Sequence, residues 1–202
     1  MTNRATALLG TACVLLALAL GIPFAGDRSP SALDTTADDA MTRLSRGLLN
    51  AFVVPTQPYV IIPVLLLTAA YCLYARRFAD APAVLLGPAI ALALNSWLLK
   101  PMFDRWLGGT LVYPSGHTVS LAATLTVLVL LIRRVAAVLV AALILAVAAI
   151  GLVGLGYHYL TDVIGGTLFG VAVVLLAWSA LRRAPRRSGG SPRADTSSGI
   201  PR

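Results

Sequence analysis

The most regular feature of this sequence is a series of long apolar runs separated by short polar segments. Six runs each approach the roughly 17–25 residues that a helix needs to cross a lipid bilayer. They cover approximately residues 5–24, 58–75, 81–99, 117–132, 135–156 and 161–181. The pattern therefore predicts an all-α protein, a transmembrane bundle of six helices.

The composition supports a protein that lies in a membrane. Hydrophobic residues make up 58% of the chain and charged residues only 12%, whereas soluble domains carry about 25% charged residues. The net charge of +8 suggests nucleic acid at first sight, but the basic residues sit beside the apolar runs, as in the pairs Arg76–Arg77 and Arg133–Arg134. Such pairs are typical of orientation signals, so we expect a bilayer and no nucleic acid as partner.

The runs also divide the chain. We expect a first transmembrane span over residues 1–24, an extracytoplasmic loop over 25–57, a core over 58–181, and a disordered, basic cytoplasmic tail over 182–202. The first run follows a short basic start and could be a signal peptide. It lacks a good small-x-small cleavage site before Asp27, which favours a retained span.

Basic residues predict the orientation of the bundle. With six spans, both termini lie on one side, and that side carries eleven basic residues against five on the other. The positive-inside rule then places both termini in the cytoplasm and the loops 25–57, 100–116 and 157–160 outside. The ratio of 15 arginines to one lysine and the abundant alanine are typical of a GC-rich bacterial genome. We therefore expect the protein in a bacterial plasma membrane.

Several chemically active residues fall at the predicted outer ends of the spans. Ionisable groups at membrane depth are costly, and they commonly mark functional sites. The simpler alternative is that they anchor the helix ends in the headgroup layer. The set comprises Lys100, Arg105, Ser115, His117, His158 and Asp162.

His158 and Asp162 are four residues apart in "YHYLTD". On a helix this spacing places both on one face, where the carboxylate can orient the imidazole as in a nucleophile–base–acid arrangement. Asp162 could instead bond backbone amides at a helix start, or Thr161 could cap that helix. A metal pair is a weaker alternative because a third protein ligand is hard to find. We expect no metal and no cofactor.

The segment "PSGH", residues 114–117, predicts an anion site beside a second histidine. Pro114 suits the turn before a helix, Ser115 can cap that helix, and Gly116 lets backbone amides approach a ligand. Lys100 and Arg105 add positive charge in the same loop. Two histidines beside an anion cradle are what phosphoryl transfer through histidine requires, although "PSGH" could also be only a turn and a cap.

Three motifs together resemble the type 2 phosphatidic acid phosphatase family, the membrane relatives of bacterial acid phosphatases and vanadium haloperoxidases. "KPMFDR" from Lys100 to Arg105 matches the first motif loosely, "PSGH" matches the second fully, and "HYLTD" from His158 to Asp162 matches the end of the third. The resemblance covers about residues 58–181, with the motifs in the expected order.

The resemblance implies a role for each matching residue. His158 would be the nucleophile that forms a phosphohistidine, Asp162 would orient it, and His117 would be the general acid for the leaving group. The family needs no metal. The phosphoryl oxygens would be bound by Lys100, Arg105, Ser115 and the amide of Gly116.

Two positions depart from the family pattern. The first motif usually has its arginine after six intervening residues, where this chain has Leu107, and the third motif has an arginine where this chain has Leu152. One phosphate-binding arginine is thus absent and another displaced to Arg105. We still expect activity because both histidines, Asp162 and Lys100 remain.

The sequence therefore predicts a metal-independent integral membrane phosphatase that hydrolyses a lipid phosphate or diphosphate, polyprenyl or glycerolipid. The alternative is a non-catalytic membrane protein of the same fold that binds a lipid phosphate or partner helices; a small transporter is a weaker third. The small-xxx-small pattern "GTLFG", Gly166–Gly170, can seat a helix of the same bundle or of a second copy, so a homo-oligomer stays open.

Overall fold

The computed structural model describes residues 2–183, and these are almost entirely helical. The predicted tail lies outside the described residues beyond Arg183. Short 3₁₀ turns cover Ile22–Phe24 and Val54–Thr56, and a π-helical turn covers Asn95–Leu99. The elements are α1 (Asn3–Gly21), α2 (Ala32–Met41), α3 (Arg46–Val53), α4 (Pro58–Tyr74), α5 (Asp80–Leu94), α6 (Lys100–Phe103), β1 (Trp106–Leu107), β2 (Thr110–Leu111), α7 (Gly116–Ile132), α8 (Val135–Gly154) and α9 (Leu160–Arg183).

Each of the six apolar runs coincides with a long helix, namely α1, α4, α5, α7, α8 and α9. The all-α transmembrane fold is therefore confirmed. Helix α7 has 17 residues, at the short end of what a span needs, so the count of six spans stays a prediction. Within residues 2–183, five helical stretches are long and apolar enough to cross a membrane: Asn3–Phe24, Arg46–Tyr74, Asp80–Phe103, Val135–Gly154 and Leu160–Arg182.

The segment expected to be a loop, residues 25–57, contains two helices. Ser31 caps α2 and forms a capping box with Asp34, and Ser45 caps α3 by accepting a hydrogen bond from Leu48. Helix α3 lies close against α8, where a Cβ added to Gly151 would come within 2.8 Å of the Leu49 carbonyl oxygen. This segment is thus folded against the bundle.

Helix α9 is the centre of the bundle, with α1 on one side and α7 on the other. Glycines permit the close approach to α7. A Cβ on Gly166 would lie 2.4 Å from Thr118 Oγ1, and one on Gly170 would lie 2.6 Å from the Val119 carbonyl oxygen. The "GTLFG" pattern therefore seats a helix of the same chain.

The connection between α5 and α7 is irregular in a way that shapes the site. The π-helical turn buries Asn95, whose Nδ2 donates to the Pro114 carbonyl oxygen over 3.4 Å. Helix α6 ends at Phe103, and the following residue, Asp104, adopts a left-handed conformation with φ of 47°. Strands β1 and β2 then form a hairpin, antiparallel with Trp106 opposite Leu111.

The two ends of the bundle differ in chemistry. The start of α1 and the end of α9 lie together, since Asn3 Nδ2 donates to the Ser179 carbonyl oxygen over 3.2 Å. Arginines line cavities at this end: Arg76, Arg77, Arg133, Arg134 and Arg182. Both histidines line a cavity at the other end, between the start of α7 and the α8–α9 connection.

Candidate active site

A cavity of about 650 Å³ lies where the α6 region, the β-hairpin, the start of α7 and the α8–α9 connection meet. Its walls include four of the residues singled out from the sequence, together with several apolar and hydroxyl side chains. Those four are Lys100, Gly116, His117 and His158. Residues from all three motifs thus border one cavity.

The two histidines face each other across this cavity. Their ring centroids are 5.7 Å apart and the ring planes are inclined by 70°. Tyr157 stacks parallel to His117, with centroids 6.4 Å apart. Because both rings border the cavity side by side, a substrate group in the cavity can lie within reach of both.

His158 precedes α9 rather than lying on it. The expected helical spacing is therefore not what joins it to Asp162. Asp162 Oδ2 accepts a hydrogen bond from the Tyr159 amide over 2.9 Å, so the carboxylate bonds a backbone amide at the helix start, as the alternative interpretation held. The same oxygen lies 3.9 Å from His158 Nδ1, longer than a hydrogen bond.

The environment of His158 favours a neutral ring. Burial, followed by the nearby His117 and Lys100, lowers the pKa of His158 to about 3. The imidazole is therefore uncharged at neutral pH, with one nitrogen lone pair available. Its Nδ1 is buried without a hydrogen-bond partner among residues 2–183. Asp162 is the carboxylate that Nδ1 faces.

The start of α7 offers amides to the cavity. Ser115 caps the helix by accepting from the Thr118 amide over 3.4 Å, and its side chain is fully buried. The amides of Gly116 and His117 make no hydrogen bond within the described chain, and both residues line the cavity. Unpaired amides at a helix N-terminus attract anions. The Lys100 ammonium also borders the cavity and donates to the Leu111 carbonyl oxygen.

Arg105, expected among the phosphate ligands, does not line the cavity. Its side chain is fully buried. Nη1 donates to Asp162 Oδ1 over 2.6 Å and to Thr161 Oγ1 over 2.7 Å, and Nη2 donates to Asp34 Oδ2 over 3.1 Å. The left-handed residue Asp104 ends α6 directly before Arg105, so Arg105 does not continue the helix that carries Lys100.

Asp34 and Thr161 are parts of this network that the sequence analysis did not select. The capping box "SALD", Ser31–Asp34, is visible in the sequence and indicates a helix start. It gives no sign of a contact with Arg105, 71 residues away.

The two leucines at expected arginine positions have different surroundings. Leu107 lines the cavity, so an arginine there would reach the site. Leu152 is fully buried in an apolar cluster with Val53, Val153 and Val163. Of the two leucines, only Leu107 borders the cavity where the family pattern has a cation.

Metal-ligating side chains do not cluster in the described part of the chain: residues 2–183 contain no group of three or more His, Cys, Asp or Glu placed to hold an ion. The chemistry available at the cavity is thus that of two imidazoles, an ammonium, helix amides and a carboxylate behind one ring.

The chain matches known proteins in family and in fold. The family model for the PAP2 superfamily matches residues 12–186, which include the second half of α1 as well as the expected core. The fold is similar to the crystal structure of a transmembrane PAP2-type phosphatidylglycerolphosphate phosphatase from Bacillus subtilis, with a TM-score of 0.70 and 19% sequence identity over 88% of this chain and 98% of that one. No curated protein matches the chain.

Proposed function

The chain belongs to the PAP2 superfamily, and on that premise we propose that it is a membrane lipid phosphatase that works through a phosphohistidine on His158. The observation that carries the proposal is the convergence of His117 and His158, 5.7 Å apart, on a cavity that also holds Lys100. At 19% identity, the solved structure supports the fold, so the reaction is argued from this site.

In the proposed first step, an imidazole nitrogen of His158 attacks phosphorus. The bond between phosphorus and the leaving oxygen breaks, and His117 gives that oxygen a proton. Water then attacks the phosphohistidine while His117 takes up the proton, which releases inorganic phosphate and restores both rings. The low pKa of His158, about 3, supports this assignment because the attacking ring must be neutral.

Positive groups would oppose the charge of the phosphoryl oxygens. Lys100 and the free amides of Gly116 and His117 border the cavity, which suits them to this role. Ser115 would act through the helix start that it caps. Arg105 would act on Asp162, since its bonds are to that carboxylate, Asp34 and Thr161. We assign no metal or cofactor to the reaction.

The substrate we propose is an amphiphile with a terminal phosphate or diphosphate, a polyprenyl or a glycerolipid. A cavity at one end of a membrane bundle lies where the headgroup of a bilayer lipid lies. The arginines at the other end favour a cytoplasmic location for both termini, with the site extracytoplasmic and the protein in a bacterial plasma membrane.

A second candidate is a non-catalytic protein that binds a lipid phosphate. Leu107 lines the cavity where the family pattern has an arginine, and Arg105 is held outside the cavity by two carboxylates. A site with fewer cations could retain a phosphate without transferring it. Of the two candidates, only the phosphatase would release inorganic phosphate from the lipid.

The deciding assay is release of inorganic phosphate from a short-chain phosphatidic acid and from a polyprenyl diphosphate by the purified full-length protein in detergent. We expect release with at least one of them, and its loss in His158→Ala. Binding of either lipid without release would favour the second candidate.

A further inference from the structure

Asp34 lies outside the recognised motifs, yet its carboxylate is one of the most densely bonded groups in the protein. It is 1% exposed. Oδ2 accepts from Ser31 Oγ over 2.8 Å, from the Ser31 amide over 3.0 Å and from Thr161 Oγ1 over 3.0 Å, and Oδ1 accepts from the Thr161 amide over 2.9 Å. The residue therefore caps its own helix α2 and also the first turn of α9.

Asp34 also shares a cation with Asp162. The Arg105 guanidinium directs Nη1 to Asp162 and Nη2 to Asp34. The ring centroids of Phe24 and Tyr159 lie 4.1 and 4.5 Å from the guanidinium carbon of Arg105. One buried cation thus faces two buried carboxylates.

The net charge of Asp34, Asp162 and Arg105 together affects His158. Burial alone raises the pKa of Asp34, but hydrogen bonds from Thr161 and Ser31 outweigh burial and hold it below its usual value. With both carboxylates ionised, the set of Asp34, Asp162 and Arg105 carries one net negative charge. Without Asp34 it is neutral, and Asp162 is fully compensated by Arg105. A phosphorylated or protonated His158 then has no net counter-charge behind it.

We propose that Asp34 is a positioning residue of the active site, one that shares Arg105 with Asp162 and so leaves Asp162 the negative charge that it presents to His158. The inference rests on the proposed function and deepens it. It assigns to α2, in the segment between the first and second apolar runs, a direct part in the geometry behind the nucleophile.

Asp34→Asn is the informative variant because it removes the charge and keeps the size. Its matched control is Asp38→Asn, the same change on an exposed position of the same helix. In phosphate-release assays on short-chain phosphatidic acid we expect kcat to fall about tenfold or more, the lower end for one charge-assisted hydrogen bond. KM should stay within about twofold, since Asp34 does not border the cavity.

A second readout separates positioning from general damage to the fold. The chain has two histidines, so ¹⁵N-histidine labelling gives two ring signals, and His117→Gln identifies each. In the parent we expect His158 to carry its proton on Nδ1, facing Asp162. In Asp34→Asn the Nδ1–H form should lose population, while Asp38→Asn matches the parent. Asp34→Glu retains the charge at a displaced position and should recover part of kcat.

The outcomes are decisive. An unchanged tautomer in Asp34→Asn, with or without a fall in kcat, would overturn the inference, and so would an unchanged kcat. If neither Asp34→Asn nor Asp34→Glu gives folded protein, Asp34 is a folding determinant and the inference also fails. A parent that releases no phosphate would overturn the proposed function instead, and the tautomer would still report whether Asp34 acts on His158.

Discussion

Arg105 donates from Nη1 to Oδ1 of Asp162 over 2.6 Å, and both side chains are fully buried. The pair lies behind His158 rather than in the cavity that holds Lys100. Its arrangement changes what Arg105 is expected to do. A guanidinium in the cavity would bind phosphate, whereas one behind the aspartate fixes the orientation of that carboxylate.

The first prediction concerns Arg105→Gln. Removing the cation leaves Asp34 and Asp162 buried without a counter-charge, and breaking a buried pair costs about 3–5 kcal/mol. We expect a lower unfolding temperature and a lower kcat, with the inhibition constant of inorganic phosphate within about twofold of the parent. Thermal unfolding in detergent and phosphate inhibition measure these effects.

Arg43→Gln is the control for that variant, because Arg43 is exposed. It should match the parent in both measurements. The opposite pattern, weaker phosphate inhibition by roughly 10- to 150-fold at unchanged stability, would make Arg105 a phosphate ligand after all.

The second prediction uses the two leucines at expected arginine positions. Leu107→Arg places a cation on the cavity wall and should strengthen inhibition by phosphate by about tenfold, the lower end for a charge-assisted bond. Leu152→Arg places the same charge in an apolar cluster and should destabilise the fold by several kcal/mol. Inhibition constants and unfolding temperatures test the pair. Equal behaviour of the two variants would contradict the placement of both leucines.

The apolar runs predicted the helices because burial in a bilayer requires a continuous apolar stretch. Successive ends of the apolar runs alternate between the two ends of the bundle. His117 and His158 could therefore be assigned to the same end. The path of the chain after Lys100 could not be predicted, since it depends on the left-handed turn at Asp104.

Asp34 shows the limit of local patterns more sharply. Its capping box predicts the start of α2, but the pairing with Arg105 depends on how α2 packs on the bundle. Likewise Leu152 faces an apolar cluster rather than the cavity, and only the rotation of α8 decides that. Long-range packing of this kind leaves no periodic signal in the sequence.

The third prediction concerns stability and pH. The pKa of His158 is about 3 in the folded protein and about 6.5 in an unfolded chain, so the unfolded state binds more protons between these values. Stability should therefore fall as the pH falls from about 6.5 towards 3. Between pH 6 and pH 5 the parent should lose about 1 kcal/mol more than His158→Gln. Chemical unfolding in detergent at both pH values measures this difference, and equal losses would contradict a buried neutral ring.

The fourth prediction concerns orientation. A reporter that is active only outside the cytoplasm should work when fused after Thr110, in the hairpin, and fail when fused after Arg187. The physical reason is the excess of arginine at the end of the bundle opposite the site. A reporter active only after Arg187 would place the site in the cytoplasm.

The central claim is that His158 carries the phosphoryl group, and His117→Ala gives the most direct access to it. In the proposed mechanism His117 supplies a proton to a poor leaving group and removes one from water in the second step, so the variant should turn over lipid phosphates roughly 10²–10⁴-fold more slowly. An aryl phosphate has a leaving group that needs no proton. With it, the first step should proceed and the phosphohistidine should accumulate.

The measurement is mass spectrometry of the peptide that contains His158, after mixing His117→Ala with the aryl phosphate and quenching at alkaline pH, where phosphohistidine survives. The account predicts one added phosphoryl group on His158, absent when His158 is also changed to Ala. A fully active protein with no phosphoryl group on His158 under these conditions would contradict it.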